Sequence, residues 1–301
     1  MYKQSILIIG KGYIGNNLYN YLSCDKPDNI FIATIEKDVI NYHDSVIFRQ
    51  YLKSVINETS EQVVVINCAG YTGRPNVDAC EKPENKLLCW DLNATLPMRL
   101  GSICKELGVK FLHVSSGCIY NGYDKHYNED DEPNFGLMSD ISSFYSKTKH
   151  AGEVNLRSID YGKVIRIRMP FCNDLSNPRN FIYKITKYTR LISMENSLTC
   201  VEDLCEFISR YINEVLDNGK FEIFNVVNQG ISTTRAIAGM IGREEGWIFC
   251  DEASLELAAK RSNTILSTEK IKQLGLQLPE VNESLLKCIQ ANKQCIEKAS
   301  F

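Results

Sequence analysis

The chain has 301 residues, of which 44% are hydrophobic and 24% charged, and its 34 basic and 37 acidic side chains leave a net charge of −3. This composition is that of an ordinary globular protein and excludes a disordered, collagen-like or disulfide-dense chain. The lack of a basic excess argues against nucleic acid as a partner, and the length fits two units, or one α/β domain with a smaller lobe.

Runs of β-branched residues alternate with longer amphipathic stretches from the N-terminus to Pro170. Short apolar runs are typical of strands buried on both faces, and strands that alternate with helices form a parallel sheet covered on both sides. We therefore predict an α/β fold with a doubly wound, Rossmann-type parallel sheet. The predicted strands are residues 5–9, 30–35, 62–67, 110–115 and 163–168, and the predicted helices are residues 13–22, 45–57, 83–107 and 144–158.

The alternation weakens after Pro170, where the segments that stand out are short. We place a boundary there, with residues 1–170 in the sheet domain and residues 171–301 mainly in a smaller C-terminal lobe. The short segments of this second part lie at residues 221–227, 233–241 and 283–297.

The twelve cysteines include no C-x-x-C pair, and the four histidines have no spacing typical of metal ligands. We expect buried free thiols in a reducing compartment, and no metal site. The first apolar run is too short for a secretory signal, and no apolar stretch approaches the roughly 18 residues of a membrane helix. These features predict a cytoplasmic chain with no membrane partner.

A glycine motif, Gly10-x-Gly12-x-x-Gly15, separates the first predicted strand from the first predicted helix. In that context glycines permit the tight turn, let a pyrophosphate approach the backbone and allow the helix to pack closely on the strand, while the helix N-terminus offers free N–H groups. We interpret the loop as a nucleotide site, against the alternative of a turn without a ligand. The candidate cofactor-binding residues here are Gly10, Lys11, Gly12, Tyr13, Ile14 and Gly15.

The charges near this loop leave the type of nicotinamide cofactor open. Glu36 follows the second predicted strand, at the distance beyond Gly15 where an acid often binds a ribose 2′-hydroxyl. Lys11 and Lys37 are equally placed to meet a 2′-phosphate, or to be plain surface charges.

A second constellation combines Ser116, at the end of the fourth strand, with Tyr145 and Lys149 on the helix that follows. Tyr-x-x-x-Lys places both side chains on one helix face, where an ammonium group would lower the pKa of the tyrosine and make it a usable proton donor. Tyr183 and Lys187 repeat this spacing. We judge the repeat accidental, because it has no serine partner at a strand end.

Together these motifs resemble the extended short-chain dehydrogenase/reductases, and longer strings narrow the resemblance to the plant nucleotide-rhamnose synthase/epimerase-reductases. Bacterial dTDP-4-dehydrorhamnose reductases are similar but more distant. The likeness runs from the first strand to residue 263 and is weakest at residues 20–60 and after residue 265. One departure is the glycine loop, which is one residue shorter than the G-x-x-G-x-x-G usual in the family. The strings are residues 67–70, 72–78, 80–81, 116–119, 144–149, 168–170 and 174–184.

The resemblance implies an NAD(P)H-dependent enzyme that epimerises C3 and C5 of a nucleotide-linked 4-keto-6-deoxy-D-glucose and then reduces C4, yielding nucleotide-linked L-rhamnose. It favours a UDP-linked over a dTDP-linked substrate and NADPH over NADH, and it is compatible with a homodimer. It also implies that residues 1–170 bind the cofactor and that the C-terminal lobe binds the substrate.

The resemblance also implies roles for individual residues. Ser116, Tyr145 and Lys149 would carry out reduction, with Asn93 as a supporting asparagine or simply a helix residue. The epimerase acid/base pair would be Cys118 and Lys184: the C4 ketone acidifies the neighbouring C–H bonds, a thiolate can take the proton, and a desolvated lysine can return one. The remaining candidates are Ala69 and Gly70 for the cofactor and Arg74, Asn180 and Arg261 for the substrate.

Two other functions compete with this interpretation. One is a plain 4-reductase that depends on a separate epimerase, which the presence of both Cys118 and Lys184 disfavours. The other is a catalytically silent relative with a regulatory role, which the intact Ser116, Tyr145 and Lys149 disfavour.

Overall fold

A computed structural model describes residues 1–24, 26–216, 219–242 and 246–292. Its centre is a six-stranded, wholly parallel sheet in the order β2-β1-β3-β4-β6-β8. The strands are β1 (Tyr2–Ile9), β2 (Ile30–Ile35), β3 (Thr59–Asn67), β4 (Lys110–Ser116), β5 (Gly122–Tyr127), β6 (Lys163–Ile167), β7 (Arg190–Ile192), β8 (Glu222–Asn225), β9 (Ile248–Cys250) and β10 (Thr264–Leu266). The helices are α1 (Tyr13–Ser23), α2 (Ser45–Asn57), α3 (Pro83–Trp90), α4 (Leu96–Leu107), α5 (Phe144–Ser158), α6 (Phe181–Lys187), α7 (Val201–Glu214), α8 (Thr234–Ile241), α9 (Glu269–Gln273) and α10 (Val281–Ala291).

Two hydrophobic cores cover the two faces of this sheet. On one face, side chains of α1 and α7 pack against alternate residues of the strands, as Leu18 and Leu204 do against Ile8. On the other face α2, α4 and α5 do the same, with Phe48 and Leu100 packed near Leu7. Successive strand residues point to opposite faces, so a continuous apolar run buries both sides, and the predicted doubly wound α/β sheet is confirmed.

The long predicted helix at residues 83–107 is helical throughout but not uniform. Helices α3 and α4 are joined by a π-helical turn, Asp91–Thr95, and Pro97 lies in the first turn of α4. A proline in a first turn loses no intrahelical hydrogen bond, because its N–H would be unpaired there in any case. π-helical turns are often found at functional sites, and this one carries Asn93.

The chain after residue 170 contributes to both parts of the molecule. A third core, which includes Phe171, Ile182, Trp247 and Leu285, belongs to a smaller lobe. However, β8 is the sixth strand of the main sheet and α7 covers one of its faces. Residues after 170 therefore belong to the main sheet as well as to the smaller lobe, and the domain boundary at residue 170 stays a prediction. Of the predicted segment 283–297, α10 includes residues 283–291, while residues 293–297 lie outside the described part.

Two predictions drawn from composition can be compared with the described residues. The eleven cysteines among them are all thiols rather than disulfides, and seven are buried. No helix in the described ranges has the length and apolarity needed to cross a membrane.

Candidate active site

The candidate residues gather where the strand order of the sheet reverses. Gly10 follows β1, residues 68–70 follow the neighbouring β3, and Ser116 ends β4. Ligands of doubly wound sheets bind in the crevice outside the carboxyl ends of the strands at this switch point. The fold therefore brings the glycine loop and the Ser-Tyr-Lys constellation to one edge of the sheet.

The glycine loop has the geometry of a pyrophosphate cradle. Gly10 has φ +91°, and a Cβ there would lie 2.8 Å from the backbone of Ala69. A Cβ on Gly15 would lie 2.0 Å from the carbonyl oxygen of Gly10, so α1 packs closely on β1. At Gly12 an added Cβ would meet no atom of the described chain within 4 Å, and no side chain caps the start of α1. The open space and the uncapped N–H groups fit a bound dinucleotide.

The charges beside the loop are paired with each other. Lys11 Nζ lies 3.0 Å from Glu36 Oε1, and both side chains are about half exposed. Acid and cation thus occupy one spot at the end of β2, so the geometry is compatible with either a ribose hydroxyl or a 2′-phosphate. The side chains of Tyr13 and Ile14 pack against the core, which leaves only their backbone for a phosphate.

The reductase candidates are held by α5 and β4. Ser143 caps α5 by accepting a hydrogen bond from the Ser146 backbone N–H at 3.1 Å, which fixes where the helix begins. Tyr145 and Lys149 follow one turn apart, and both are buried. Lys149 Nζ donates to the Val114 carbonyl oxygen at 3.3 Å.

Burial controls the protonation of these groups. It raises the pKa of Tyr145, as does the neighbouring Cys118, while a hydrogen bond with Ser116 acts in the opposite direction. The net pKa of Tyr145 is thus raised and not lowered as expected, because desolvation of the phenolate outweighs the effect of the neighbouring ammonium. The phenol remains protonated at neutral pH, which suits a proton donor. Burial also lowers the pKa of Lys149 to about 8, although Glu153 opposes the shift.

Asn93 joins the loop after β3 to α5. Its Oδ1 accepts from the Tyr71 backbone N–H at 2.9 Å, and its Nδ2 donates to the Tyr71 carbonyl at 2.8 Å and to Thr148 Oγ1 at 3.1 Å. A Cβ on Gly70 would lie 3.1 Å from Asn93 Oδ1 and 3.2 Å from Lys149 Nζ. Asn93 thus lies beside the Lys149 ammonium and holds the adjacent loop in place, rather than being a simple helix residue.

Cys118 and Lys184 are far apart in the sequence, yet the Cys118 thiol contributes to the electrostatic environment of the Lys184 ammonium. Cys118 is half-buried, and its backbone N–H donates to Ser116 Oγ at 3.2 Å. Lys184 lies on α6; burial lowers its pKa, the positive charge of Arg179 lowers it further, and the Cys118 thiol opposes this. The two groups are therefore within electrostatic range of each other, and Cys118 lies beside Ser116 and Tyr145.

Arg179 is a site residue that the sequence reasoning missed. Its Nη1 donates to Thr72 Oγ1 at 2.8 Å, and burial together with the charge of Arg74 lowers its pKa, while Tyr145 opposes the shift. The signal was its position directly before Asn180 in a string that already carried the resemblance. With Arg74 and Lys184 it forms a group of cations suited to phosphate oxygens.

Two of the three predicted substrate residues are already engaged within the protein. Arg261 binds both carboxylate oxygens of Asp78, at 2.8 and 2.9 Å. Asn180 is fully buried; its Oδ1 caps α6 at the Ile182 N–H, and its Nδ2 donates to two loop carbonyls at 2.8 and 2.9 Å. The Asn180 amide thus holds the loop that presents Arg179, and its binding of substrate stays a prediction.

Arg74 is the exposed member of the predicted substrate set. It lines a surface cavity of about 400 Å³ together with Asp78 and Glu81. Tyr145 and Cys118 do not line this cavity. The cavity therefore does not coincide with the reactive groups, and it lies on the side of the protein where Arg74 is exposed to solvent.

A protein family and several known proteins match most of this chain. The model of a family described as RmlD substrate binding domain matches residues 4–294. An Arabidopsis thaliana trifunctional UDP-glucose 4,6-dehydratase/UDP-4-keto-6-deoxy-D-glucose 3,5-epimerase/UDP-4-keto-L-rhamnose-reductase is 34% identical over 74% of this chain, which spans about a third (34%) of that relative. A bifunctional dTDP-4-dehydrorhamnose 3,5-epimerase/dTDP-4-dehydrorhamnose reductase of the same plant is 33% identical over 78% of this chain and 79% of its own length.

Solved structures share the fold at lower identity. The L780 UDP-rhamnose synthase of Acanthamoeba polyphaga mimivirus superposes with a TM-score of 0.82 at 23% identity, covering 95% of this chain and 99% of that one. A dTDP-4-dehydrorhamnose reductase of Bacillus anthracis, crystallised in complex with NADP, has a TM-score of 0.76 at 19% identity and covers 96% and 99%. The likeness extends over sheet and lobe alike.

Proposed function

The chain belongs to the RmlD substrate binding domain family, and from that membership we propose that it is an NADPH-dependent reductase of a nucleotide-linked 4-keto-6-deoxy sugar that also epimerises C3 and C5. The observation that carries the proposal is one cluster at the carboxyl end of β4. It holds the reductase residues Ser116, Tyr145 and Lys149 and, on the turn after Ser116, Cys118, which is within electrostatic range of Lys184.

Reduction uses Tyr145 as the acid. Bound NADPH would supply hydride to C4 of the sugar. As the C4 oxygen gains negative charge, the Tyr145 phenol donates its proton to it, and the Ser116 hydroxyl holds that oxygen by a hydrogen bond. Lys149 lies one turn away and stabilises the resulting tyrosinate. The raised pKa of Tyr145 keeps the proton in place until it is needed.

Epimerisation uses Cys118 and Lys184. The Cys118 thiolate takes the proton from C3 or C5, and the electron pair of the broken C–H bond is delocalised into the C4 carbonyl. The Lys184 ammonium then gives a proton to the same carbon from the opposite face, which inverts it. Exchange with solvent returns a proton to the lysine and removes one from the thiol. Burial lowers the pKa of Lys184, which makes its ammonium a better acid.

The order of the two reactions follows from their chemistry. The C4 ketone is what acidifies the hydrogens on C3 and C5, so epimerisation has to precede reduction. Arg74 and Arg179 would bind the diphosphate. The names of the trifunctional plant relative and of the viral synthase favour UDP, whereas the bifunctional plant relative is named for dTDP. For the cofactor we favour NADPH, because the Bacillus anthracis reductase that shares this fold is crystallised in complex with NADP.

The test is to incubate the protein with UDP-4-keto-6-deoxy-D-glucose and NADPH in D₂O and to identify the product by proton NMR. We expect UDP-L-rhamnose deuterated at C3 and C5. A product of D configuration without deuterium would support a plain reductase. NADPH that is bound but not consumed, with this sugar and with its dTDP analogue, would support a silent relative.

A further inference from the structure

Arg168 is a fully buried cation without a carboxylate partner. Its exposed fraction is 0%, and within the described chain no hydrogen bond or ion pair joins its guanidinium to an acidic side chain. Arg166, two residues earlier and equally buried, binds the Glu153 carboxylate through Nε and Nη2. Burying an uncompensated charge is costly, so Arg168 calls for an explanation that Arg166 does not.

The guanidinium of Arg168 is directed at Cys118. Its Nη1 lies 3.5 Å from Cys118 Sγ and also donates to Ser262 Oγ at 2.8 Å. Its Nη2 donates to the Ser262 carbonyl at 3.0 Å and to Asn196 Oδ1. Neutral groups thus clamp one side of the guanidinium. Among the hydrogen-bond partners of this guanidinium in the described chain, only the thiol can become negatively charged near neutral pH.

The turn that carries Cys118 is built around the Arg168 side chain. A Cβ on Gly117 would lie 3.0 Å from Cγ and 3.2 Å from Cδ of Arg168, and 2.5 Å from Leu266 Cδ1. Glycine at position 117 therefore lets the arginine pass beneath the turn. On the other side the Cys118 N–H donates to Ser116 Oγ at 3.2 Å, so the sulfur is fixed relative to the reductase serine.

Charged groups within electrostatic range of the Cys118 thiol are Lys184 from α6 and Lys149 from α5, and the phenol of Tyr145 is in range as well. Cys118 also packs against the cluster that contains Cys80, Cys89 and Tyr71, whose side chains are titratable but carry no positive charge. In the proposed reaction Lys184 and Tyr145 give up protons, so their charges change during turnover. Arginine keeps its charge throughout. Burial lowers the pKa of Arg168, but an arginine starts from so high a value that it remains protonated near neutrality.

We propose that Arg168 is a positioning residue that stabilises the thiolate of Cys118 and holds its sulfur toward the sugar. The Cys118 thiol first releases its proton to solvent, and the resulting thiolate, paired with the guanidinium, accepts the proton from C3 or C5 and becomes a thiol again. The buried cation is thereby matched by a negative charge that the catalytic cycle itself creates. This inference rests on the proposed epimerase role of Cys118.

The test measures the thiol directly and needs no sugar. The full chain is treated with iodoacetamide between pH 5 and 10, and modification of Cys118 is followed by peptide mass spectrometry, with the exposed Cys24 as a reference in the same molecule. The thiolate is the reacting form. The midpoint is the pH at which the modification rate of Cys118 is half its maximum. In Arg168→Met the midpoint for Cys118 should rise by about one pH unit, which is about tenfold in rate at pH 7, while that of Cys24 stays unchanged.

Ser262→Ala is the matched control, since it removes a hydrogen bond from Arg168 but leaves the cation beside the sulfur; its Cys118 midpoint should stay near that of the wild type. Should Arg168→Met fail to fold, Arg168→Gln, which keeps hydrogen-bonding groups but removes the positive charge, replaces it in the same test. A Cys118 midpoint that the loss of this charge does not move would overturn the inference. A midpoint that rises as expected, in a protein that exchanges no deuterium into the sugar, would instead overturn the epimerase function and leave the thiolate pairing standing.

Discussion

Glu153 and Arg166 form a buried bidentate ion pair directly beneath the catalytic candidates, with Nη2 to Oε2 at 2.7 Å and Nε to Oε2 at 3.1 Å. The Ser115 hydroxyl donates to Oε1 of the same carboxylate at 2.6 Å. Glu153 lies one turn after Lys149 on α5 and opposes the lowering of its pKa. The pair thus ties α5 to β6 and gives Lys149 its nearest negative charge on that helix.

We therefore expect Glu153→Gln to destabilise the fold. The substitution keeps the shape but leaves the Arg166 guanidinium buried without a counter-charge, and breaking a buried pair in this way costs about 3–5 kcal/mol. Denaturant titration would give the free energy of unfolding. Glu106→Gln, in the exposed pair with Arg49, serves as the control and should change little. A loss of stability no larger than that of the control would show that Ser115 and the neighbouring groups are enough to stabilise the buried Arg166 guanidinium.

Tyr145→Phe should abolish reduction while leaving NADPH binding nearly intact. Loss of a general acid lowers the rate by about 10²–10⁴-fold, whereas other groups would hold most of the cofactor. NADPH consumption and fluorescence titration measure the two properties. Tyr183→Phe is the control, because Tyr183 repeats the Tyr-x-x-x-Lys spacing with Lys187 but has no serine partner at a strand end. Its half-buried ring lies with its centroid 5.4 Å from the Lys187 ammonium. Reduction by Tyr145→Phe within threefold of wild type would rule out the assignment.

Gly12→Val should weaken NADPH binding without harming the fold. Gly12 has φ −89° and ψ −165°, which a branched residue adopts readily, and its Cβ would meet no described atom. The side chain would instead occupy the space for the pyrophosphate, and we expect a loss of about tenfold or more in affinity. Gly15→Ala should behave differently and reduce stability, since its Cβ would overlap the Gly10 carbonyl oxygen. Unchanged affinity in Gly12→Val would mean that the loop is only a turn.

The reduction step should fall off above about pH 8. The pKa of Lys149 is lowered to about 8 by burial, so in the folded protein its ammonium group is half deprotonated near pH 8 and is neutral before the ordinary lysine range is reached. Once neutral, it no longer stabilises the tyrosinate that reduction leaves at Tyr145. The measurement is kcat/KM for NADPH consumption from pH 6 to 10. Any activity that remains in Lys149→Arg should not decline above pH 8, because arginine stays charged in this range. A flat wild-type profile would contradict the proposed role of Lys149.

Cys118→Ala and Lys184→Ala should each block exchange of the C3 and C5 hydrogens with D₂O, or restrict it to one carbon. Hydride transfer should continue, because Ser116, Tyr145 and Lys149 remain, so the product would be a 6-deoxy sugar of D configuration. Proton NMR of the sugar ring distinguishes the outcomes. Cys250→Ala, at another partly buried thiol, is the control. Normal exchange at both carbons in both variants would reduce the enzyme to a plain 4-reductase.

The sequence alone determined those features that depend on neighbours along the chain. The alternation of apolar runs and amphipathic stretches predicts the helices and the main-sheet strands that precede Pro170, because burial on both faces of a parallel sheet demands it. It misses β5, which pairs with β10 outside that sheet. The glycine motif and the Ser116, Tyr145 and Lys149 spacing likewise follow from one strand end or one helix face. These predictions are local, so the sequence is enough to make them.

Pairings between distant segments were decided only by the tertiary structure. The sixth strand of the main sheet, β8, comes from beyond the predicted boundary, since its place depends on pairing with β6. Arg166 and Arg168 look equivalent in the predicted strand 163–168, yet α5 gives one a carboxylate and the turn after β4 gives the other a thiol. No local pattern distinguishes them, because the partner that compensates a buried charge is supplied by packing between elements far apart in the chain.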